Sequence, residues 1–361
     1  MFRGARILVA PLDWGLGHAA RCVPVVQALL QRGATPVIGA EKDPLALLRE
    51  AFPNVAHVRI PGMDVRYARG RSMAWAMAVQ FPAMLRQVRT EQRLFDQLQR
   101  DLRLDAVISD QRFGLRSASI PSVLITHQVF PFSPFAQRPA RRINRMYIER
   151  FHRCWVPDLA DPPGLAGELS HGSNLPAHAR HIGPLSRFQD DPQDALAATF
   201  RVVGVISGPE PQRSMLEQLL LRQLRAIAGP HLLVTGKPGT PEWRSGSVRV
   251  VGHLPASALH AALANAELIV GRTGYSTLMD LAAIGRGALL VPTPGQPEQE
   301  YLGRLHGLRG IHVVQGQQHV NIASALADPP LRHAPCKAPH ALSAAMSDLA
   351  QLIAHGHPFH R

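Results

Sequence analysis

Residues 6–18 read Arg-Ile-Leu-Val-Ala-Pro-Leu-Asp-Trp-Gly-Leu-Gly-His, an apolar run that leads into a glycine-containing turn. The run over residues 6–11 predicts a buried strand, and residues 19–32 predict the helix after it, which Gly33 ends. Short apolar runs continue to alternate with helical patterns along the chain. This alternation is typical of a parallel sheet with helices on both faces, and it predicts an α/β fold.

Length and composition predict two such domains. A chain of 361 residues exceeds one ordinary domain of about 150 residues. Its 46% hydrophobic and 18% charged residues can form large cores, which excludes a disordered or collagen-like protein. The acidic, polar stretch 190–194 predicts a linker. We therefore expect doubly wound Rossmann-like domains over residues 1–188 and 200–335, and a closing helix with a tail over 336–361.

The same patterns predict the individual elements. In the first domain the predicted strands are 6–11, 36–40, 55–60, 105–109 and 122–126, and the predicted helices are 19–32, 44–51 and 72–102, the last kinked near Pro82. In the second domain the predicted strands are 202–206, 231–235, 248–251, 268–270 and 288–292, and the predicted helices are 213–227, 257–264 and 276–284. The closing helix is predicted over 341–354.

Cysteine usage and charge narrow the functional classes. Cys22, Cys154 and Cys336 are far apart, so neither a zinc site of the usual spacing nor a disulfide framework is indicated, and no cofactor or metal is expected. The absence of a signal-peptide pattern or a long apolar run predicts a cytoplasmic protein. A net charge of +13 favours anionic partners such as nucleic acid, anionic lipid or a phosphorylated substrate. The sequence contains no recognised nucleic-acid-binding motif, so nucleic acid is not expected as a partner.

The turn after the first predicted strand is the first candidate site. Backbone N–H groups of Gly15 and Gly17, at the start of a helix, can face an anion. His18 follows at the edge of the sheet where open α/β folds bind ligands, and a histidine can accept a hydroxyl proton near neutral pH. The alternative interpretations are a tight turn with a helix cap and an exposed polar histidine.

A second candidate site lies in residues 265–285, where a predicted strand enters a glycine-containing turn and then a helix. Hydroxyl and amide donors at a helix start suit a diphosphate, and a carboxylate one turn further can bind ribose hydroxyls. The residues concerned are Arg272, Gly274, Ser276, Thr277 and Asp280. The loop after the next strand adds side chains that suit sugar hydroxyls: Gln296, Glu298, Gln299 and Glu300. Capping and a polar loop would explain either segment alone, but less readily both together.

These segments resemble the GT-B glycosyltransferases, and within them family 28. The resemblance spans the two-domain order and is specific mainly over 265–302 and the Gly15–His18 loop. It implies two Rossmann-like domains that face each other across a cleft. Arg272 and Gly274 match the family's Arg-x-Gly, Thr277 its helix-start threonine, and Asp280 its ribose-binding acid. Gln299, with Glu298 and Glu300 beside it, matches the loop that holds the donor sugar, and His253-Leu254 matches the place of the nucleotide base.

The resemblance also concerns the acceptor side. Thr126-His127-Gln128 is similar to the family's histidine-containing loop, although His127 could equally be a buried structural histidine. Asp110 ends the preceding strand, where it could be the catalytic base, orient His18, or cap the following turn. The implied reaction is an inverting, metal-independent sugar transfer from a nucleotide sugar, with UDP as the expected nucleotide, to an unknown hydroxyl acceptor. His18 is the first candidate for the base and Asp110 the second.

Two loops depart from the family pattern. In place of a glycine-rich loop after the first strand of the second domain stands Ser207-Gly-Pro-Glu-Pro-Gln-Arg213, whose two prolines lack an N–H donor. Ser207, Gly208 and Arg213 remain the candidates for phosphate binding there. The first loop carries Leu12-Asp-Trp14 instead of further glycines. The acceptor could therefore differ from the lipid-linked acceptor of the family's best-known member, and a polysaccharide is the other option.

Aromatic and apolar residues alternate with arginines over residues 130–155, and the same mixture recurs over 66–81. A basic amphipathic stretch is typical of membrane-surface binding or of contact with an anionic acceptor. The simpler interpretation is a helix with a buried stripe and a solvated arginine face. Peripheral attachment at the inner face of the membrane is one hypothesis that follows. The residues concerned are Arg66, Arg69, Arg71, Met73, Trp75, Met77, Phe81, Phe132, Phe135, Arg138, Arg141, Arg142, Ile143, Arg145, Tyr147, Arg150, Phe151 and Arg153.

Two other functions fit the same fold and donor site. A nucleotide-sugar 2-epimerase, such as one acting on UDP-N-acetylglucosamine, would need no acceptor but would need several acids and bases in the cleft. A non-catalytic nucleotide-sugar-binding protein would bind the donor without turnover, and substitution of His18 or Asp110 would then leave binding intact.

Overall fold

The computed structural model describes residues 1–62, 73–133, 136–188, 199–208, 210–336 and 338–355, with the backbone alone for 73–82 and 339. Several predictions fall outside the described residues. These are the linker at 190–194, Arg66, Arg69, Arg71, Phe135 and Pro209, together with the side chains of Met73, Trp75, Met77 and Phe81.

The first domain is a parallel sheet with helices on both faces. Its order along the chain is β1 (Arg6–Pro11), α1 (Leu16–Gln31), β2 (Thr35–Ala40), α2 (Lys42–Ala51), β3 (Ala56–Arg59), α3 (Met73–Asp101), β4 (Ala106–Asp110), β5 (Ser122–Ile125), α4 (Gln137–Ile148), β6 (Arg153–Val156) and β7 (Ala179–His181). Among the described residues the seven strands lie in the order β3-β2-β1-β4-β5-β6-β7, and each neighbouring pair is parallel.

The second domain repeats this architecture with one antiparallel edge strand. Its elements are β8 (Val202–Val205), α5 (Gln212–Arg225), β9 (His231–Val234), β10 (Trp243–Ser245), β11 (Val248–Val251), α6 (Ala256–Asn265), β12 (Leu268–Gly271), α7 (Tyr275–Ile284), β13 (Leu289–Leu290), α8 (Pro297–Leu308), β14 (Val313–Val314), α9 (Ile322–Ala327) and α10 (Pro339–His355). The described strands lie in the order β10-β11-β9-β8-β12-β13-β14, and β10 is antiparallel to β11. The predicted α/β class with two doubly wound sheets is confirmed.

The central strands are apolar throughout because helices cover both faces of each sheet. Every residue of β4, β5, β9 and β12 is buried, which is expected of parallel strands and explains why they read as continuous apolar runs. The polar exceptions are Ser122 in β5, His231 in β9, and Ser109 and Asp110 at the end of β4, all 0% exposed. A fully buried carboxylate at a strand end requires partners, and it marks the edge of the sheet where the site lies.

The sequence patterns missed several elements. The short strands β6, β7, β10 and β14 and the helix α9 were not predicted, and α8 was taken as part of a polar loop. Pro297 occupies the first turn of α8, a position where its missing N–H costs nothing, so a helix start was the better interpretation of this proline. The helix α1 begins at Leu16, within the predicted turn, so that His18 lies in its first turn.

The domains contact each other along the carboxyl ends of their strands. Tyr275 at the start of α7 donates its hydroxyl to the Pro157 carbonyl at 2.7 Å, and the Tyr301 hydroxyl of α8 accepts from the Glu168 N–H at 2.7 Å. The closing helix α10 returns to the first domain, where Asp348 accepts from Arg153 at 2.6 Å. These contacts hold the two sheet edges against each other.

Candidate active site

His18 and Asp110 are brought together by neighbouring strands of the first sheet. β1 and β4 run parallel with Pro11 beside Asp110, so the first turn of α1 lies over the end of β4. The His18 Nδ1 atom is 2.9 Å from an Asp110 carboxylate oxygen, across 92 residues of sequence. The Asp110 side chain is fully buried, whereas 20% of the His18 side chain is exposed.

The His18 Nδ1 atom has two neighbours with opposite hydrogen-bonding roles. The Asp110 oxygen at 2.9 Å can only accept, whereas an Arg21 terminal nitrogen at 2.8 Å can only donate. We assign the proton to Nδ1, where it points to the carboxylate. The Nε2 atom then carries a lone pair, and no described residue hydrogen-bonds to it. Burial lowers the pKa of His18, the nearby Arg21 charge lowers it further, and Asp110 opposes both. A neutral imidazole with an accessible lone pair is the form that a general base requires.

Arg21 joins this pair from one turn further along α1. Its Nε atom donates to Asp110 at 2.9 Å, and a terminal nitrogen makes a second bond to the same carboxylate. Burial alone would raise the pKa of Asp110, but Arg21 and His18 outweigh it and hold that pKa below its usual value. Asp110 is therefore a charged, fixed carboxylate that orients His18. The sequence analysis left open whether Asp110 or His18 is the base, and this geometry favours His18.

His127 connects the first domain to the loop of the second domain that starts α8. Its Nδ1 atom faces an Arg21 terminal nitrogen at 3.3 Å, and its Nε2 atom is 2.9 Å from a Glu298 carboxylate oxygen. Gln128 donates to the other oxygen of Glu298 at 2.6 Å. The His127 ring also stacks on Tyr275, with the ring centres 4.1 Å apart. His127 is buried, as the alternative interpretation held, yet it lies at the junction of the two domains beside His18.

Two helix starts converge at this junction. Neither α1 nor α7 has a side-chain cap or an acidic residue in its first turn. The Ser276 hydroxyl in α7 donates to the Gly17 carbonyl in α1 at 2.9 Å. A Cβ on Gly17 would lie 2.9 Å from that hydroxyl, so the close approach requires glycine. Since each helix start carries a partial positive charge, the two together favour an anion between the domains.

The remaining residues predicted on the donor helix have different surroundings. No described residue hydrogen-bonds the hydroxyl of Thr277, which is partly exposed beside Gly274 at the start of α7. Asp280 accepts from the Ser186 hydroxyl at 2.7 Å and pairs with Arg187 at 3.3 Å. Burial raises the pKa of Asp280, which Arg187 and Ser186 oppose. In this conformation Asp280 binds the end of the first domain.

Arg272 is buried beneath the start of α7 and bonds backbone carbonyls. Its side chain is 1% exposed, and its terminal nitrogens donate to the carbonyls of Gln212, Val291 and Pro292. Its Nε atom is buried without a hydrogen-bond partner. Burial lowers the pKa of Arg272 to about 10, so the guanidinium stays charged at neutral pH. It was predicted to contact the diphosphate; in this conformation it ties together the loops after β8, β12 and β13.

The loop after β13 is held by its own side chains. Gln299 accepts from the Thr293 N–H at 2.9 Å, and Glu300 accepts from the Gly295 N–H at 2.8 Å. The Gln296 side-chain oxygen is buried without a hydrogen-bond partner. Beside this loop, between α8 and the end of β14, lies an open groove of about 830 Å³. Of the four predicted sugar-binding residues in this loop, only Glu298 contacts the side chains around His18. We call this group the His18 cluster; it consists of His18, Arg21, Asp110, His127, Gln128, Tyr275 and Glu298.

The residues predicted to bind the nucleotide base and the phosphates have partners outside the His18 cluster. His253 faces Glu50 of α2 at 3.4 Å, and Leu254 packs against the core. Burial lowers the pKa of His253, which Glu50 opposes. In the first turn of α5, Arg213 donates to Glu210 at 3.0 Å and to the Gly236 carbonyl at 2.9 Å. Ser207 and Gly208 precede it, and Gly208 has a positive φ of 100°.

Sequence reasoning missed three residues of the cluster: Arg21, Gln128 and Tyr275. Arg21 is three residues after His18, a spacing that places two side chains on one face of a helix. That spacing was a usable signal for Arg21, as was its position within a predicted buried helix. Gln128 and Tyr275 are identified only by contacts between the domains, which no local pattern contains.

The basic stretch forms the helix α4 on the surface of the first domain. Arg138, Arg142 and Arg145 are exposed, Met146 is 50% exposed, and Ile148 is fully buried. Within the described ranges, no helix is both long and apolar enough to cross a membrane. The same part of the chain contains no group of three or more His, Cys, Asp or Glu side chains placed to hold a metal ion.

Comparison with known proteins agrees with this architecture. Residues 249–302 match the glycosyltransferase family 28 C-terminal domain. A UDP-N-acetylglucosamine–N-acetylmuramyl-(pentapeptide) pyrophosphoryl-undecaprenol N-acetylglucosamine transferase of Methylorubrum extorquens is 55% identical over 38 residues, which span 10% of each chain. An uncharacterised glycosyltransferase of Methanosarcina acetivorans is 22% identical over 317 residues, covering 82% of this chain and 81% of that one.

The structural comparison extends over the whole chain. The spinosyn rhamnosyltransferase SpnG superposes with a TM-score of 0.62 at 17% identity, covering 97% of this chain and 96% of that one. At this identity the likeness defines the fold. The chain has the GT-B fold that the sequence resemblance implied, and the match to the family 28 C-terminal domain spans residues 249–302.

Proposed function

We propose that the protein transfers a sugar from a nucleotide-sugar donor to a hydroxyl acceptor, with inversion at the anomeric carbon. The observation that carries this proposal is the position of the His18–Asp110 pair beside the converging, uncapped starts of α1 and α7. A base and an anion-binding site that meet between two domains are what glycosyl transfer from a diphosphate requires.

The second domain would bind the donor. The N–H groups at the start of α7, with the free Thr277 hydroxyl, suit the diphosphate. The family 28 match over 249–302 contains this segment and supports a UDP-sugar, with a hexose or N-acetylhexosamine as the sugar. Asp280 would bind the ribose after exchanging its bonds to Ser186 and Arg187. Glu298 and Gln299 would face the sugar, and the residues around His253 would hold the base.

The chemistry would use His18 Nε2 as the base. It takes the proton of the acceptor hydroxyl while that oxygen attacks the anomeric carbon, and the bond from this carbon to the diphosphate oxygen breaks. The diphosphate leaves with the electron pair, and the converging helix starts stabilise its charge. Asp110 keeps the proton on Nδ1 and stabilises the imidazolium that forms. This arrangement needs no metal ion for the departure of the leaving group.

The first domain would bind the acceptor. The exposed arginines of α4, with Met146 among them, suit an anionic surface, so we propose an anionic acceptor or one presented at the inner face of the membrane. A lipid-linked acceptor and a polysaccharide both fit, and the protein would act in the cytoplasm. Liposome co-sedimentation with and without anionic lipid distinguishes the two: an acceptor used in solution predicts no co-sedimentation.

Thermal unfolding with a panel of nucleotide sugars tests the donor assignment. A ligand at 100 times its dissociation constant stabilises the folded state by about 2.7 kcal/mol. We expect a UDP-sugar to raise the melting temperature of the wild type and of the control Thr90→Val, an exposed threonine on α3. The shift should shrink for Thr277→Val and persist for His18→Gln. If no nucleotide sugar stabilises the wild type, the proposed function is wrong.

A further inference from the structure

Arg21 is the most deeply buried cation near His18, and nothing in the proposed reaction yet assigns it a role. Its side chain is 2% exposed and lies on the same face of α1 as His18. A buried cation is stable only when it is paired and hydrogen-bonded. Arg21 meets this need with the two-pronged contact to Asp110, a geometry that a guanidinium makes and an ammonium cannot.

We propose that Arg21 is a positioning residue that locks Asp110 against His18 and tunes the imidazole as a base. This inference rests on the proposed function for its catalytic meaning. Its structural content, the control of His18 by Arg21, can be measured without any turnover.

The charge balance of the cluster supports the proposal. Arg21 and Asp110 carry one positive and one negative charge in direct contact with His18, so a neutral imidazole leaves these three groups without net charge. The next carboxylate, Glu298, is bonded by His127 and Gln128. Without the guanidinium, Asp110 would be an uncompensated buried carboxylate, which is costly, and protonation of His18 would restore the balance. Arg21 thus keeps the proton off Nε2 until an acceptor hydroxyl supplies one.

Arg21 also connects the base to the donor domain. Its terminal N–H faces His127 Nδ1 at 3.3 Å, which fixes that nitrogen as an acceptor. His127 Nε2 must then carry the proton and donate to Glu298 at 2.9 Å. One side chain therefore contacts Nδ1 of two histidines, His18 at 2.8 Å and His127 at 3.3 Å, and the second of these bonds Glu298 of the second domain.

The groups that face His18 come from four elements, and the test must account for all of them. They are Arg21 and Cys22 on α1, Asp110 at the end of β4, His127 after β5 and Glu298 on α8. Of these, Arg21 and Asp110 are the two charged groups in direct contact with the ring. Removing Arg21 should raise the pKa of His18 and removing Asp110 should lower it, because Arg21 disfavours the imidazolium and Asp110 favours it.

The test is the titration of His18, followed by NMR on ¹³C-histidine-labelled full-length protein, with the His18→Gln spectrum to assign the signal. We expect the midpoint in Arg21→Met to rise by about one pH unit or more, and the midpoint in Asp110→Asn to fall. Arg21→Lys keeps the charge but loses the two-pronged contact, so its midpoint should rise by less than that of Arg21→Met. The matched control is Arg32→Met, at the other end of α1, which should titrate as the wild type does.

An unchanged or lowered midpoint in a folded Arg21→Met would overturn the proposal. If that variant does not fold, Arg21→Lys decides: a midpoint above that of the wild type supports the proposal, and an unchanged or lowered midpoint overturns it. Where a donor is turned over, the acidic limb of kcat/KM should move with the NMR midpoint in each variant. Absence of turnover in the wild type would contradict the proposed function and leave the titration result standing.

Discussion

Acidification should destabilise the protein through two buried histidines, His306 on α8 and His312 just after that helix. His306 and His312 are 2% and 8% exposed, with ring centres 5.4 Å apart. His306 Nε2 donates to the Leu165 carbonyl of the first domain at 2.8 Å, and His312 Nδ1 accepts from the Ala288 N–H at 3.2 Å. Burial lowers the pKa of His306 to about 4 and that of His312 to about 3, the latter helped by His306.

The sign follows from the direction of these shifts. A free histidine has a pKa of about 6.5, so below that pH the unfolded chain binds protons that the folded protein refuses. The stability due to neutral burial is complete above about pH 6.5 and falls as the pH decreases toward the folded values. For His306 with a folded pKa of about 4, the loss between about pH 7.5 and about pH 5 is about 2 kcal/mol.

Urea unfolding at the two pH values measures this loss, and His306→Gln isolates it. Glutamine keeps a donor for the Leu165 carbonyl but does not titrate, so the pH-dependent loss should be about 2 kcal/mol smaller than in the wild type. His57→Gln, an exposed histidine on β3, is the control and should retain the wild-type loss. Comparing variants cancels other groups such as Asp13, whose pKa burial raises to about 6. An identical pH dependence in His306→Gln and the wild type would refute the reasoning.

Three further predictions concern one buried carboxylate of the first domain and two contacts between the domains. Asp158 is fully buried and accepts from the N–H groups of Leu165 and Ala166, so Asp158→Asn should lower stability by about 2 kcal/mol in urea unfolding; a change below about 0.5 kcal/mol would contradict this. Gly17→Ala should lower the melting temperature by a few degrees because the added Cβ clashes with Ser276. Ser276→Ala in the same chain should recover part of this loss. If the losses of the two substitutions add instead, the close approach does not limit stability. Glu298→Gln removes a charged acceptor from His127 and Gln128, so it should increase the rate at which a protease cleaves the folded protein. Glu242→Gln, on the exposed edge of the second sheet, should leave that rate unchanged. Equal cleavage rates in the two variants would contradict a stabilising role for the Glu298 contacts.

The fold was largely predictable because its decisive signals are local. Continuous apolar runs identified the buried strands, and helical patterns between them identified most helices. The elements that were missed are short or compositionally atypical: β14 has two residues, and α8 begins with a proline and carries three acidic or amide side chains in its first turn. β14 pairs with β13, and α8 contacts the first domain through Tyr301 and His306, and no short window of sequence contains these contacts.

The proximity of several candidate residues was predictable, whereas their contacts were predictable only in part. Because parallel strands end at one edge, the sequence placed His18, Asp110 and His127 near each other. The bond from His127 to Glu298 joins residues 171 positions apart on two domains, and only the folded chain specifies it. Arg21 was overlooked among many arginines, whereas its burial and its bonds to Asp110 distinguish it in the structure.

Release of nucleoside diphosphate from a bound nucleotide sugar, compared between the wild type, His18→Gln and Asp110→Asn, tests the central claim most directly. The claim predicts sugar-dependent release by the wild type in the presence of an acceptor, and a loss of about 100-fold or more in His18→Gln with donor binding unchanged. Asp110→Asn should lose activity through the misplaced proton on His18. Wild-type rates in His18→Gln, with a donor that is turned over, would show that His18 is not the base and that the site has been assigned wrongly.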